Sequence, residues 1–297
     1  IVVSGLSYDD SRNIFYVYVR ENGVWSEQAQ LTNNGLSRHD YSRSAVAISG
    51  NTIVVGMGHD GNGSAFVYER MNGRWKEQAK LVARGGAPTG KFGYSVDICG
   101  ETIVVGAVLV SGNTSSSGDA YVFRREDGVW NQEARLEPID GFSHDRFGRS
   151  VSVSGDIAVV GAYLDSGSAK YAGAAHVYRR IDGEWNEEVK LRASDGDSYD
   201  HFGYSVSVAG GLIAVGARVD EYNGRSSGSA YVYRLAGGEW VEQAKLLARD
   251  GDEDDEFGVS VGVSGDTAVV GAWRDEEMSY YGGAAYFYDL GVPPVAV

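Results

Sequence analysis

The sequence contains a single cysteine, Cys99, so no disulfide can form within the chain. Only 4 of the 297 residues are proline. No apolar run approaches the about 20 residues that a membrane-crossing helix needs, so we expect no membrane insertion within this chain. Basic residues are also scarce, because 26 Lys and Arg stand against 41 Asp and Glu, for a net charge of −15. This balance argues against nucleic acid as a partner.

Glycine is abundant, and the chain repeats itself. Its 42 glycines and 11% aromatic residues are typical of a β protein with many tight turns. Trp130, Trp185 and Trp240 lie 55 residues apart, and two further tryptophans precede them at similar spacing. Each repeat also carries a Val-rich segment that ends at a glycine: Gly5, Gly56, Gly106, Gly161, Gly216 and Gly271. A period of this size with several strands per unit predicts a propeller or an array.

We predict an all-β fold: a β-propeller of six blades, each of four antiparallel strands, with incomplete terminal blades. The first unit lacks its opening strand and the sixth lacks its Trp strand, which leaves 22 strands. One domain is expected over residues 1–297, because each repeat must bury its faces against its neighbours. The repeat units are about 1–40, 41–90, 91–145, 146–200, 201–255 and 256–297.

Alternation along the first strand of the fifth unit indicates how blades pack. Period two places Gly203, Ser205 and Ser207 on one face, and Phe202, Tyr204, Val206 and Val208 on the other. A face of small residues lets a neighbouring blade approach closely. We expect this strand to lie at the crowded centre and the charged Trp strand to be the solvated edge.

The connections divide into two kinds. The first–second and third–fourth strand connections are tight turns such as Ser154-Gly155-Asp156 and Asp182-Gly183. The second–third loops and the links between units are long, variable and acidic. In an up-and-down blade the two kinds lie at opposite ends, so we expect function at the end with the variable loops.

A motif at the strand ends carries a family resemblance. Phe-Gly opens strands at Phe92, Phe147, Phe202 and Phe257, and Gly-Ala closes the following strands. This pattern resembles the FG-GAP repeat of integrin α-subunit propellers and their microbial relatives. The resemblance implies an extracellular recognition or adhesion propeller. Two features depart from it: the motif's proline is replaced by Val108, Tyr163, Arg218 and Trp273, and the family's calcium loop between strands one and two is absent.

Acidic loop residues are the candidate binding residues. The predicted binding face comprises nine aspartates: Asp165, Asp195, Asp197, Asp200, Asp220, Asp250, Asp252, Asp255 and Asp275. Six of them, near glycines, supply hard oxygen ligands that suit Ca²⁺: Asp195, Asp197, Asp200, Asp250, Asp252 and Asp255. Two alternatives stay open, since the same carboxylates could accept hydrogen bonds from their own turns or contact a partner directly.

Function is predicted to be non-enzymatic recognition of a protein partner at the cell surface, through the acidic loop face. Alternatives are a glycan-binding lectin and a structural module of a larger surface protein. The five histidines show no metal-ligand spacing, no phosphate loop or Gly-x-Ser-x-Gly motif occurs, and no odd cluster breaks the repeat. His144 and His201 are expected to be exposed loop residues. A secreted or cell-surface location is expected, and sequons at Asn62 and Asn113 are consistent with it.

Overall fold

A computed structural model describes residues 1–6, 13–32, 45–58, 62–85, 90–108, 118–141, 144–275 and 282–291. Within these residues every regular element is a β-strand, and none is a helix long and apolar enough to span a membrane. The strands form six antiparallel sheets, the blades of a six-bladed β-propeller, as predicted. The chain divides into two compact units, Ile1–Gly112 with Gly118–Leu136 and Asn113–Ser117 with Glu137–Val297, so a single domain stays a prediction.

The first unit holds three blades. Blade 1 has three strands: β1 (Val2–Leu6), β2 (Asn13–Glu21) and β3 (Val24–Thr32). Blade 2 has four: β4 (Ala45–Ser49), β5 (Thr52–Met57), β6 (Ser64–Met71) and β7 (Arg74–Leu81). Blade 3 has four: β8 (Phe92–Cys99), β9 (Thr102–Ala107), β10 (Asp119–Glu126) and β11 (Val129–Leu136). The predicted start of the second repeat unit, at about residue 41, and the sequon at Asn113 lie outside the described residues.

The second unit holds the other three blades. Blade 4 comprises β12 (Phe147–Ser154), β13 (Ile157–Ala162), β14 (Ala174–Ile181) and β15 (Glu184–Leu191). Blade 5 comprises β16 (Phe202–Ala209), β17 (Leu212–Ala217), β18 (Ser229–Ala236) and β19 (Glu239–Leu246). Blade 6 comprises β20 (Ser260–Ser264), β21 (Thr267–Ala272) and β22 (Ala284–Asp289). Among the described residues this makes 22 strands with three in each terminal blade, as predicted.

Burial within a blade follows strand order. In blade 5 every residue of β17 is buried, whereas the residues of the edge strand β19 are exposed or half-buried up to the buried Leu246 at its end. A short β17 that is covered on both faces suits the run Leu-Ile-Ala-Val, while Glu239 at the start of β19 is exposed to water. The edge position of the Trp strand is therefore confirmed. Trp240 packs against the core of blades 4 and 5.

A bulge interrupts the first strand of blade 5. Phe202 pairs with Ala217, but the next pair is Ser205 with Gly216, so Gly203 and Tyr204 have no partners in the ladder. Gly203 has a φ of +86°, a left-handed conformation that a residue with a Cβ adopts only at a cost. The expected uninterrupted alternation was wrong here. Phe202 stays in the core, and Tyr204 turns towards the loops.

Neighbouring blades approach closely at these glycines, as the small-residue face predicted. A Cβ on Gly203 would lie 2.1 Å from the carbonyl oxygen of Ala174, and one on Gly161 would lie 2.0 Å from that of Gly203. The Ser205 hydroxyl donates a hydrogen bond of 2.8 Å to the carbonyl of Gly258 in the next blade. The backbones thus fit together only because the side chains between them are minimal.

Candidate functional site

The long connections of blade 5 meet in a network of polar side chains, which we call the carboxylate network. Lys245 Nζ lies 2.8 Å from Asp195 and 2.8 Å from Asp220. The Tyr231 hydroxyl, which has one proton to donate, lies within hydrogen-bond distance of the same two carboxylates, 2.7 Å from Asp195 and 3.0 Å from Asp220. Asp220 follows β17 and is 4% exposed, while Asp195 belongs to the link from blade 4. One lysine and one tyrosine therefore tie a second–third loop to an inter-blade link.

Within this network, hydrogen bonds and opposite charges stabilise the ionised forms of Lys245 and Asp195. Burial opposes the charge of Lys245, but hydrogen bonds to Asp195 and Asp220 outweigh it and raise the pKa of the ammonium. Burial likewise opposes ionisation of Asp195, yet the Lys245 and Tyr231 donors lower the pKa of that carboxyl. The pKa of Tyr231 is raised, first by burial and then by the hydrogen bond to Asp195. The network is thus charged at neutral pH, with its lysine and Asp195 held ionised.

Related networks occur at equivalent places in the second unit. In blade 4, Lys190 Nζ lies 2.8 Å from Asp140 and 2.6 Å from Asp165. In blade 6, for which the described residues form three strands, the Tyr286 hydroxyl oxygen lies 2.7 Å from the Asp250 carboxylate and 2.5 Å from that of Asp275. The tyrosine and the lysine thus perform overlapping roles, and either one connects the two loop carboxylates.

Blade 3 builds the same arrangement from another residue. Asp119 lies at the start of β10, where blade 5 has Ser229, and it accepts hydrogen bonds from Tyr121 at 3.1 Å and Arg135 at 2.8 Å. The Tyr121 hydroxyl also donates to the carbonyl of Gly85. Sequence reasoning missed Asp119 because it searched the loops for aspartate rather than the strand. The Asp-x-Tyr spacing in β10 could have predicted the contact, because residues two apart on a strand lie on the same face.

Five of the nine predicted binding residues are buried rather than presented to solvent: Asp165, Asp200, Asp220, Asp255 and Asp275. Four of these cap their own turns. Asp165 and Asp220 accept from the amides of Gly167 and Tyr222, whereas Asp200 and Asp255 each accept from the amide three residues before them. This is the turn-capping alternative that the sequence left open. The pKa of Asp200 is raised to about 6, mainly by burial.

The other four predicted residues, Asp195, Asp197, Asp250 and Asp252, are exposed. Asp195 and Asp250 belong to the networks above, and Asp197 and Asp252 occupy equivalent positions in successive links. The structure thus gathers eight of the nine aspartates at two successive blade junctions, and Lys190 connects the ninth, Asp165, to Asp140. No group of three His, Cys, Asp or Glu side chains within the described ranges is arranged to hold a metal ion. Calcium binding stays a prediction.

A second group of side chains lies at the same end of blades 4 to 6. We call it the arginine–aromatic cluster: Tyr163, His201, Tyr204, Arg218, Glu256 and Arg274. Arg218 and Arg274 both pair with the carboxylate of Glu256, the latter at 3.4 Å. The Arg218 guanidinium carbon lies 4.3 Å from the centre of the Tyr204 ring. The Tyr163 ring stands edge-on to His201 at 5.2 Å and to Tyr204 at 5.4 Å.

Two further side chains extend this cluster. The Arg149 guanidinium also lies over Tyr204, at 4.0 Å, and Arg274 lies 4.8 Å from the ring of Trp273. Trp273 itself is 50% exposed. The cluster is therefore rich in guanidinium groups and aromatic rings on a strongly acidic chain, and it reaches the surface.

The arginine–aromatic cluster breaks the repeat symmetry, which sequence reasoning did not detect. Four of its members occupy two positions, before Phe-Gly (His201 and Glu256) and after Gly-Ala (Tyr163 and Arg218), whose residue type changes from unit to unit over units three to six. At the first of these, His201 was expected to be exposed, but it is half-buried and its pKa is lowered to about 4, by burial and then by Arg218. The sequence feature that could have revealed this cluster is the change of residue type at fixed positions of an otherwise constant repeat.

Exposed tyrosines complete this end of the second unit. Tyr199 is 45% exposed and Tyr222 is 65% exposed. The Tyr171 and Tyr199 rings stand edge-on at 5.6 Å, with the Lys170 ammonium 5.4 and 5.2 Å from them. Large apolar rings beside charged groups are typical of binding surfaces.

Comparison with known families agrees with this architecture. A model described as FG-GAP repeat matches five segments of the chain: residues 25–68, 75–123, 130–178, 185–233 and 240–288. Each match begins at the Trp of the last strand of one blade and ends on the third strand of the next blade. A comparison with curated proteins gives no match. Because the matched segments cover most of the sequence, the chain belongs to the FG-GAP repeat family.

Proposed function

We propose that this chain is a non-enzymatic extracellular recognition module, which binds a protein partner through the loop-bearing end of its blades. The observation that carries the proposal is the contrast between the two ends. In blades 4 and 5 the first–second and third–fourth strands are joined by tight turns. The opposite end carries long loops with the exposed rings of Tyr199, Tyr222 and Trp273. Surfaces that combine exposed aromatic rings with charge favour protein recognition.

The acidic loops contribute in two ways under this proposal. Buried carboxylates such as Asp220 hold the loops in place through Lys245 and Tyr231. Asp197 and Asp252 are exposed, and neither carboxylate accepts a hydrogen bond from another residue in the described ranges. These two acids are free to pair with basic groups, so a partner with a basic surface fits this end. The net charge of −15 would steer such a partner towards the chain.

Family membership supports a binding role rather than catalysis. FG-GAP propellers are generally non-enzymatic, and their fold is consistent with adhesion-type binding. Those observations support the non-enzymatic part of the proposal. The extracellular location rests on the resemblance to cell-surface propellers.

A lectin function is the second candidate, and one observation favours it. The Tyr171–Tyr199 pair presents two rings and the Lys170 ammonium beside each other. Sugar rings stack their C–H faces on aromatic side chains while a nearby cation contacts a hydroxyl or acidic group. A glycan-binding role would use this pair rather than Asp197 and Asp252.

Binding screens test the two candidates directly. The chain is presented to an array of extracellular proteins and to a glycan array, each with calcium and with chelator. We expect protein binding that weakens at least tenfold in the variant Asp197→Asn/Asp252→Asn and in Tyr222→Ala. Asp182→Asn, which changes an exposed turn at the opposite end, is the control and should bind normally. Binding only to glycans, lost in Tyr199→Ala, would replace the protein-recognition proposal with the lectin.

A further inference from the structure

We propose that the arginine–aromatic cluster binds one carboxylate group, that of an aspartate or glutamate side chain on the protein partner. This inference rests on the proposed recognition function and names the chemistry of one contact within it. It differs from the acidic loop face, because the charge of this cluster is of the opposite sign.

Charge provides the first argument. Arg218 and Arg274 share a single carboxylate, Glu256, which is 7% exposed. Arg149 and Arg218 both lie over the ring of Tyr204. Two guanidinium groups on one carboxylate leave a net positive charge. A further anion beside Arg218 and Arg274 would neutralise it.

Unused hydrogen-bond donors provide the second argument. The Nε atoms of Arg218 and Arg274 are both buried, and neither has a hydrogen-bond partner among the residues that the structure describes. The same holds for Nδ1 of His201. Buried polar atoms are almost always paired with protein, with water or with a ligand. Two donors of this kind around one carboxylate point to an acceptor that the chain does not supply.

The form of the ligand follows from the surroundings. A planar guanidinium recognises a carboxylate through two parallel N–H···O bonds, which suits an Asp or Glu side chain. A polyanion is disfavoured, because the chain carries a net charge of −15 and the exposed acids Asp197 and Asp252 lie at the same end of the blades. The half-exposed ring of Trp273 beside Arg274 offers apolar contact to the rest of the ligand residue.

The probe is the blocked tripeptide acetyl-Gly-Asp-Gly-amide, compared with acetyl-Gly-Asn-Gly-amide, which has the same shape and no charge. Binding is followed by NMR on the indole N–H of Trp273, assigned with Trp273→Phe, and on the arginine Nε–H signals. We expect saturable shifts with the Asp peptide at millimolar concentration and at least tenfold weaker binding of the Asn peptide. Arg274→Gln should abolish the shifts, whereas Arg225→Gln, an exposed arginine paired with Asp254, should keep them.

Glu256→Gln gives an independent test, because it removes the carboxylate that competes for both arginines. We expect it to strengthen binding of the Asp peptide at least threefold, an effect that simple loss of folding cannot produce. Equal binding of the two peptides, or no saturable shift, would overturn the carboxylate proposal without affecting the array result for Asp197 and Asp252. Tighter binding of heparin, lost in Arg274→Gln, would also overturn it. Saturable shifts with no protein partner on the array would instead remove the recognition function.

Discussion

Lys245 Nζ lies 2.8 Å from the carboxylate of Asp220, a side chain that is almost completely buried. The pair joins the edge strand β19 of blade 5 to the loop that follows β17. A buried carboxylate needs such a partner, since an unpaired charge away from water is costly. Ion pairs of this kind hold the long connections of blades 4 and 5 in place.

Replacing Lys245 with Met should destabilise the chain by about 3 kcal/mol, because it leaves Asp220 buried without its cation. The free energy of unfolding is measured by urea denaturation. The double variant Lys245→Met/Asp220→Asn should recover part of the loss, since the neutral amide no longer needs a cation. Arg225→Gln, which breaks an exposed pair, should cost less than about 1 kcal/mol. Equal losses in Lys245→Met and the double variant would contradict this account.

Asp200 should make the chain more stable as the pH falls. Burial raises the pKa of Asp200 to about 6, above its value in an unfolded chain. The folded state therefore binds a proton more tightly, and this group contributes stability that is present near pH 4 and lost as the pH rises through 6. Asp200→Asn should remove this dependence and stabilise the chain at pH 7 by about 1–2 kcal/mol. Denaturation at pH 4.5 and 7 tests it, with Asp182→Asn as control.

Gly203→Ala should be severely destabilising, by about 3 kcal/mol or more, because the new Cβ would meet the Ala174 carbonyl oxygen at 2.1 Å. Gly210→Ala is the matched control: Gly210 also has a positive φ, but nothing lies within 4 Å of the added atom. It should cost about 1 kcal/mol. Thermal unfolding midpoints separate the two. Similar midpoints would show that close approach of the blades is not what requires glycine at position 203.

Trp240→Ala should cost about 2–3 kcal/mol, less than for a fully buried Trp, since Trp240 is half-buried against the core of blades 4 and 5. Trp25 occupies the same repeat position in blade 1 but is 49% exposed and lies over Arg20. Trp25→Ala should therefore cost no more than about 1 kcal/mol. Unfolding in urea measures both variants. A larger loss for Trp25 would mean that burial does not set the contribution of these tryptophans.

Calcium binding at the six loop aspartates is tested by thermal unfolding in calcium and in chelator. If the sequence prediction holds, calcium at about a hundred times its Kd adds roughly 2.7 kcal/mol to the free energy of unfolding. Asp197→Asn/Asp252→Asn should then remove the effect. Asp195, Asp200 and Asp255 already accept hydrogen bonds from Tyr231 and from loop amides, and these bonds require no metal. An unchanged unfolding midpoint would contradict the calcium prediction.

The sequence alone determined the six blades, their strand order and the division of connections into tight turns and long loops. These features are local, because a period of 55 residues and turn residues such as Gly155-Asp156 act on neighbouring parts of the chain. Hairpin pairing then follows from the turns, and stacking follows from sheets with two apolar faces. The family resemblance rested on the same local motifs.

Only the tertiary structure decided which polar groups are buried and what they contact. Tyr231 and Lys245 contact Asp195 although they lie 36 and 50 residues from it in the sequence. A local sequence pattern therefore cannot predict these contacts. The bulge at Gly203 sends Tyr204 to the loops against the strand alternation, and there it meets Arg218. Burial depends on how many distant atoms surround a group. Both Asp220 and His201 lie in loops, where sequence alone predicts exposed side chains. In the fold the Asp220 carboxylate is buried and the His201 imidazole is half-buried.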